Sequence, residues 1–163
     1  MNDFYATISN DGLPSLKLLH KADDKLIISL PIQNATKDHR SYILSTWVKS
    51  YEAEARRVVC GTASGGYLHI PHDVYRSGES ATAERHWEKS KVVTSDDGYT
   101  IHAWVCAEPG ALWHVYVPPT LRGGGVAREL VEAYAGKVYM VSKPWPKHTP
   151  GLHNVTYNPY MIV

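Results

Sequence analysis

The spacing of apolar and polar residues divides the chain into predicted strands and helices. Alternation, or a short β-branched apolar run, predicts strands at Lys25–Ile32, Val92–Thr94, Tyr99–Ala107, Trp113–Val117 and Lys137–Val141. Apolar positions three or four residues apart predict three helices, which begin near Asn34 or Thr36, near Ser77 or Ser80 (ending about Lys91), and at Val126. Short strands are also expected within Phe4–Ile8 and Asn154–Val163, whereas the rest of the first segment, to about Asp24, is expected to be irregular.

The turns between these elements set their order. Asp96-Asp97-Gly98 and Glu108-Pro109-Gly110 are hairpin signals, so three consecutive strands are expected to be antiparallel. The order strand, helix, helix, strand, strand, strand, helix, strand predicts an α+β fold whose mixed, mostly antiparallel sheet is flanked by helices. One domain over residues 1–163 is expected, with an atypical proline-rich segment at Ser142–Gly151 that cannot form a regular helix.

Strict alternation also predicts which side chains share a face of the sheet. It places His114 and Tyr116 together, opposite Trp113 and Val115. In the preceding strand it places His102, Trp104 and Cys106 opposite Ile101, Ala103 and Val105. Tyr42 and Trp47, on the apolar stripe of the first helix, are expected to pack in the core.

Composition narrows the classes of function only a little. A hydrophobic fraction of 44%, a charged fraction of 20% and a net charge of +1 are typical of a soluble globular chain without a general affinity for nucleic acid. Local cations beside an aromatic ring leave nucleic-acid binding as a weaker alternative (Arg56, Arg57, Lys143 and Lys147, with Trp145). With neither a signal peptide nor a membrane-length apolar run, a cytoplasmic location is expected.

The cysteines and one pair of histidines are not expected to have a catalytic or metal-binding role. Cys60 and Cys106 are expected to be buried thiols, because two distant cysteines do not make a disulfide framework. His69 and His72, followed by Asp73, have a spacing that zinc ligands can use, but Pro71 lies between them and no second pair matches. We therefore expect no metal site.

The stretch from Trp113 to Leu130 carries the clearest chemical signal. A strand ends at Pro118 and Pro119, a run of glycines (Gly123-Gly124-Gly125) follows, and a helix begins at Val126. Free amides and the helix dipole make such a helix start suitable for an anion, and Arg122 adds a positive charge. A dinucleotide-binding fingerprint is excluded because Arg128 stands where its third glycine is required, and a P-loop is excluded because Gly-Lys-Ser/Thr is absent.

Arg122-Gly123-Gly124-Gly125-Val126-Ala127 resembles the (Gln/Arg)-x-x-Gly-x-(Gly/Ala) pyrophosphate loop of the GNAT superfamily of N-acetyltransferases. The approach to the loop, Tyr116-Val117-Pro118, is also similar to that family. The resemblance implies a GNAT-like three-layer α/β domain over the strand and helix order from Lys25 to Val141. It further implies acyl transfer from acetyl-CoA, or another acyl-CoA, to an amine, and the small, compact chain suggests a phage protein acting in host cytoplasm.

The resemblance also implies roles for particular residues. The cofactor-binding residues would be Val115, Tyr116, Val117, Arg122, Gly123, Gly124, Gly125, Val126 and Ala127. The catalytic candidates are His114, Tyr116 and Glu108, with His102 as a further base and Tyr139, Tyr157 or Tyr160 as an acid. The proline-rich segment replaces the helix that carries the acid in many relatives. Two alternatives therefore stay open, a GNAT-like binding or inhibitory protein without turnover and a phage-type base-modifying relative, and a homodimer is also left open.

Overall fold

The computed structural model describes residues 2–55, 60–61, 67–68, 72–138, 140–141 and 156–157, with side chains described for 2–50, 76–138 and 140–141. The helices are α1 (Lys37–Ala55), α2 (His72–His86) and α3 (Val126–Tyr134). The strands are β1 (Phe4–Ser9), β2 (Ser15–His20), β3 (Leu26–Asn34), β4 (Cys60–Gly61), β5 (Tyr67–Leu68), β6 (Ser90–Thr94), β7 (Ile101–Glu108), β8 (Ala111–Tyr116), β9 (Met140–Val141) and β10 (Thr156–Tyr157).

One mixed sheet runs in the order β1-β2-β3-β6-β7-β8-β9-β10, and β4 pairs separately with β5. Neighbours from β1 to β8 are antiparallel, whereas β8–β9 and β9–β10 are parallel. The predicted α+β class with a mixed, mostly antiparallel sheet is confirmed at this level. The described elements also include the predicted order of strands and helices, preceded by a hairpin of which only the first strand, within Phe4–Ile8, was predicted.

That hairpin, β1–β2, occupies the segment that was expected to be largely irregular. Leu16 and Leu18 are buried on one side of β2, and Lys17 between them is only half-buried, so the segment has the two-residue period of a strand. Pro14 lies just before the strand, where its carbonyl accepts a hydrogen bond from the Ile32 amide at 2.9 Å. The proline therefore does not prevent pairing, and the expectation of irregular structure was wrong.

Pro31 likewise fails to end β3, which continues to Asn34. The proline instead limits the pairing on one edge of the strand. Pairing with β6 covers Ile32, Gln33 and Asn34, which follow the proline, whereas pairing with β2 runs from Leu26 to Pro31 and so includes the proline. Proline lacks the amide that a ladder requires, so it can lie in a strand at the point where pairing on one side stops.

Two apolar clusters lie on opposite faces of the sheet. The first joins β1, β2, β3, β6, β7, β8 and β9 to α3, and includes Leu16, Val105, Leu112, Val126 and Leu130. The second joins α1 and α2 to β6, β7 and β8, and is rich in tryptophan (Trp47, Trp87, Trp104, Trp113). The sheet is thus covered by helices on both faces.

The helix boundaries agree partly with the sequence. α1 begins directly after Thr36, one of its two predicted caps, and buries Ile43 and Trp47 completely, whereas Tyr42 is 38% exposed. α2 begins at His72, earlier than the predicted serines, and a short 3-10 turn (Trp87–Lys89) follows it. The Asp96-Asp97-Gly98 turn is confirmed: the Asp97 carboxylate accepts hydrogen bonds from the amides of Tyr99 and Thr100 at 2.8 and 3.1 Å.

Candidate functional site

The strand β8 carries a β-bulge in its middle. Its register with β7 passes from the pair Cys106–His114 directly to the pair Ala107–Leu112, so Trp113 is an extra residue. A bulge leaves the extra residue outside the ladder and redirects the side chains around it. Trp113 packs in the tryptophan-rich cluster, and His114 stacks on Trp47 of that same cluster. The prediction that these two side chains lie on opposite faces was therefore wrong.

A second irregularity affects β7. Its register with β6 passes from Val93–Ala103 to Thr94–Ile101, which leaves His102 as the extra residue. Ile101 packs against the cluster that contains Trp104 and Cys106, not on the opposite face as alternation predicted. The Nε2 atom of His102 lies 2.7 Å from the Ser95 hydroxyl.

His114, a predicted base, is an aromatic core residue. It is 1% exposed, and its ring centroid lies 5.4 Å from that of Trp47 and 5.1 Å from that of Trp104. A base must reach the proton that it removes, directly or through one water. Its burial between two indoles therefore counts against direct contact with a substrate.

Tyr116 lies further along the same face, where β8 ends. Its ring stacks on Trp104 at 6.3 Å and meets the edge of Tyr42, from α1, also at 6.3 Å. Burial and the neighbouring Tyr116 phenol raise the pKa of Tyr42 above its ordinary value, at which the hydroxyl is already protonated at neutral pH. Tyr42 was expected to pack in the core, whereas its side chain is 38% exposed at the border of the α1 stripe.

Glu108 lies at the opposite end of the strand pair. It pairs with Ala111, whereas Tyr116 is five residues further along β8, about 17 Å away at the usual rise of a strand. Its carboxylate forms a 2.8 Å ion pair with Lys89, whose ammonium also lies over the Trp113 ring. The structure therefore brings His114 and Tyr116 to one face but does not bring Glu108 to them.

The second half of β8 has one paired edge in the described part of the chain. β7 pairs with it through Val115 and Tyr116, whereas the described pairing with β9 covers only Ala111 and Leu112. The backbone of residues 113–117 is thus the part of β8 with which an extended ligand could pair, as the resemblance implies.

The glycine loop follows a short 3-10 turn, Pro119–Leu121. Gly123 and Gly125 have φ values of 83° and 86°, in the left-handed region that glycine adopts without strain. Gly124 is required for a different reason, since a Cβ atom there would lie 2.2 Å from the Phe4 ring. Each glycine therefore has a structural role, and the run of glycines is not by itself a sign of a ligand.

The helix start that follows is surrounded by positive charge. The first hydrogen bond of α3 runs from the Glu129 amide to the Gly125 carbonyl (3.0 Å), so the amides of Val126 and Ala127 precede it. Arg122 donates through Nε to the Val117 carbonyl at 2.8 Å and is otherwise exposed. The Arg128 guanidinium lies over Gly125, 3.3 Å from the position that a Cβ would take.

Arg128 was not among the predicted binding residues, although its guanidinium lies beside the start of α3. A cation in the first turn of a helix is opposed by the helix dipole, which favours carboxylates there. Glu129 partly compensates, with a carboxylate oxygen 3.9 Å from the Arg128 guanidinium. A positive charge at this unfavourable position, readable from the sequence, is the feature that sets Arg128 apart from an ordinary surface residue.

Several predicted residues lie outside the described part of the chain. These are Tyr139, Tyr160 and the side chain of Tyr157 among the acids, the His69, His72 and Asp73 motif, and the cations Arg56, Arg57, Lys143 and Lys147 with Trp145. Cys60 likewise has no described side chain, whereas Cys106 is buried as expected. Among the described side chains, no group of three or more His, Cys, Asp or Glu residues is arranged to hold a metal ion.

Comparison with known proteins places the chain in no family. No family model, no curated protein and no solved structure matches it. Within the described residues, no helix combines the length and the apolar character needed to cross a membrane.

Proposed function

We propose that this chain is an acyl-CoA-dependent N-acyltransferase with a GNAT-like arrangement. The observation that carries the proposal is the start of α3, where Arg122 and Arg128 flank amides that precede the first helical hydrogen bond. A helix N-terminus with two guanidinium groups suits a pyrophosphate, because dipole, amides and fixed charges all favour a multiply charged anion. Coenzyme A carries such a group.

The position of this helix relative to β8 supports the choice of an acyl carrier over a simple anion. The strand leads directly into the loop, and the edge of residues 113–117 is free of any described β9 pairing. An extended ligand arm that begins at the loop would run along this edge toward the bulge at Trp113. A backbone amide there would stabilise the oxyanion that forms when an amine attacks a thioester.

The proposed chemistry requires two proton movements. The amine nitrogen forms a bond to the acyl carbon, the carbon–sulfur bond breaks, and the thiolate takes up a proton. Tyr116 is assigned as the proton donor because it lies at the end of β8, and the protonated Tyr42 phenol beside it supports its position. The amine proton leaves through water, because His114 lies in the core and Glu108 is held by Lys89 about 17 Å away.

Binding is tested first, by calorimetry with coenzyme A. We expect Arg122→Ala and Arg128→Ala each to weaken binding about tenfold, as the loss of one charge-assisted contact implies, and the affinity to fall with added salt. Lys37→Ala is the matched control, because it removes a positive charge from an exposed lysine at the start of α1, which packs on the opposite face of the sheet from α3. Wild-type protein that binds no coenzyme A at millimolar concentration would refute the proposal.

Turnover is a separate test. With acetyl-CoA and a panel of primary amines, thiol release should be measurable for wild type and much reduced for Tyr116→Phe, with coenzyme A affinity unchanged. This Phe variant keeps the ring that stacks on Trp104, so a loss of rate would report the hydroxyl.

The second candidate function is binding of acyl-CoA without turnover. It is favoured by one specific observation, namely that neither His114 nor Glu108 is placed as a base beside Tyr116. Coenzyme A binding by wild type, together with thiol release no faster than in buffer for every amine, would favour this candidate over the enzyme.

A further inference from the structure

The strand β1 is in direct contact with the glycine loop, although the two are far apart in the sequence. The Ala6 amide donates to the Gly124 carbonyl at 2.7 Å, and the Asn2 side-chain amide donates to the Arg122 carbonyl. The Phe4 ring lies between these two bonds, against Gly124. The loop is therefore fixed at two positions, Arg122 and Gly124, to β1 and to Asn2 just before it.

The Phe4 ring explains why residue 124 is a glycine. An added Cβ would lie 2.2, 2.6 and 3.0 Å from three atoms of the Phe4 ring, all closer than a methyl group and a ring can approach. Unlike Gly123 and Gly125, Gly124 does not have a positive φ, so its backbone alone does not require glycine. The close approach of the ring is the reason for the residue.

β1 itself is held firmly. All six of its residues pair with β2, and the Lys21 amide donates to the Asp3 carbonyl at 2.8 Å. The Lys21 ammonium also donates to the Asn2 carbonyl at 2.8 Å. The position of β1 is thus fixed by contacts outside the glycine loop, so β1 can hold the loop in place.

We infer that β1 sets the conformation of the glycine loop, and that Phe4 is a positioning residue for the phosphate-bearing ligand. The inference rests on the proposed function, since the loop amides and Arg122 are the groups that would contact the pyrophosphate. A ligand gains affinity when its donors are already held in the bound geometry, because binding then does not have to order them. Phe4 contributes this order without contacting the ligand.

The experiment compares Phe4→Ala with Ile8→Ala, a matched control on the same strand. Ile8 packs against the same apolar cluster but pairs with Leu16, at the end of β1 away from the loop. Both variants should lower the melting temperature. Only Phe4→Ala should weaken coenzyme A and inorganic pyrophosphate binding, by about tenfold, and speed amide hydrogen exchange in residues 123–127.

Two further variants separate positioning from general stability. Phe4→Leu keeps an apolar side chain and should recover part of the affinity, and it carries the test if Phe4→Ala does not fold. Gly124→Ala should weaken binding in the wild-type background but add little to Phe4→Ala, because the smaller side chain removes the clash. Independent, additive losses would count against a shared contact.

The outcomes distinguish the inference from the proposed function. Wild type that binds coenzyme A, with the Phe4 variants binding equally well, overturns the inference and leaves the proposed function standing. Wild type that binds neither coenzyme A nor pyrophosphate overturns both. Equal losses of affinity in Phe4→Ala and Ile8→Ala would show that stability, not loop position, sets the affinity, and would also overturn the inference.

Discussion

Thr46 links α1 to the centre of the sheet through one hydrogen bond. Its hydroxyl accepts from the Trp104 indole N–H at 2.9 Å and donates back to the Tyr42 carbonyl at 2.7 Å. Trp104 is completely buried. Thr46→Val keeps the shape of the side chain and removes only the hydroxyl, so the indole N–H loses its acceptor in a place that water does not reach.

The expected loss of stability follows from that burial. A buried donor left without a partner destabilises the folded state by about 1–3 kcal/mol. The added methyl group offsets part of this, up to about 0.8 kcal/mol if it is fully buried. Valine and threonine have similar helix propensities, so the helix itself contributes little to the difference. A net loss of about 1–2 kcal/mol corresponds to a melting temperature lower by roughly 2–8 °C in a chain of this size.

Urea unfolding followed by tryptophan fluorescence and by circular dichroism measures this difference. Thr46→Ser keeps the hydroxyl and should retain the part of the stability that comes from the bond. Ser50→Ala, one turn later, removes a hydroxyl that donates to the Thr46 carbonyl within the same helix, so it should be neutral or slightly stabilising. If Thr46→Val is as stable as wild type, the bond to Trp104 makes no net contribution and the reasoning is wrong.

Two further predictions concern ionisable groups. Burial, with repulsion from Lys89 and Arg85, lowers the pKa of His86. As pH falls below about 6.5, the ordinary histidine pKa, the unfolded chain therefore binds the proton before the folded chain does, and the free energy of unfolding decreases until the folded-state pKa is reached. His86→Phe keeps the stack on Trp113 and should reduce this decrease in urea titrations between pH 5 and 7. An unchanged dependence of the unfolding free energy on pH would contradict the lowered pKa. Burial raises the pKa of the Cys106 thiol to about 12, so peptide mapping after iodoacetamide treatment at pH 8 should find Cys106 unmodified until urea unfolds the chain, whereas labelling of the folded protein would contradict its burial.

Local patterns predicted those parts of the fold that depend on neighbouring residues. The Asp96-Asp97-Gly98 turn and the α1 stripe of Ile43 and Trp47 are confirmed, because each is determined within a few residues. The prediction of which β8 side chains share a face was wrong, because strict alternation assumes an uninterrupted ladder of hydrogen bonds. The bulge at Trp113 depends on how β7 pairs with the strand, which is not visible in the sequence of β8 alone.

The same limit applies to the candidate site. The glycine run predicted a loop before a helix, but the reason for Gly124 is Phe4, which comes from another strand. Glu108 was a reasonable candidate carboxylate by residue type, and only the strand register shows that it lies at the end of β7, beside Ala111 and away from Tyr116. Residue types thus predicted candidates, and tertiary contacts decided which of them come together.

The contact between β1 and the glycine loop also affects how the chain folds during synthesis. Asn2 and Arg122 are 120 residues apart in the sequence. At the usual rate of translation, about 5–20 residues per second, the ribosome makes β1 roughly 6–24 s before the loop that covers it. During this interval the Ala6 amide and the Phe4 ring of the β1–β2 hairpin are exposed. Contacts of such long sequence separation also slow folding. Nascent chains stalled before Arg122 should accordingly be captured by chaperones that bind exposed apolar strands, and release should follow once α3 has emerged.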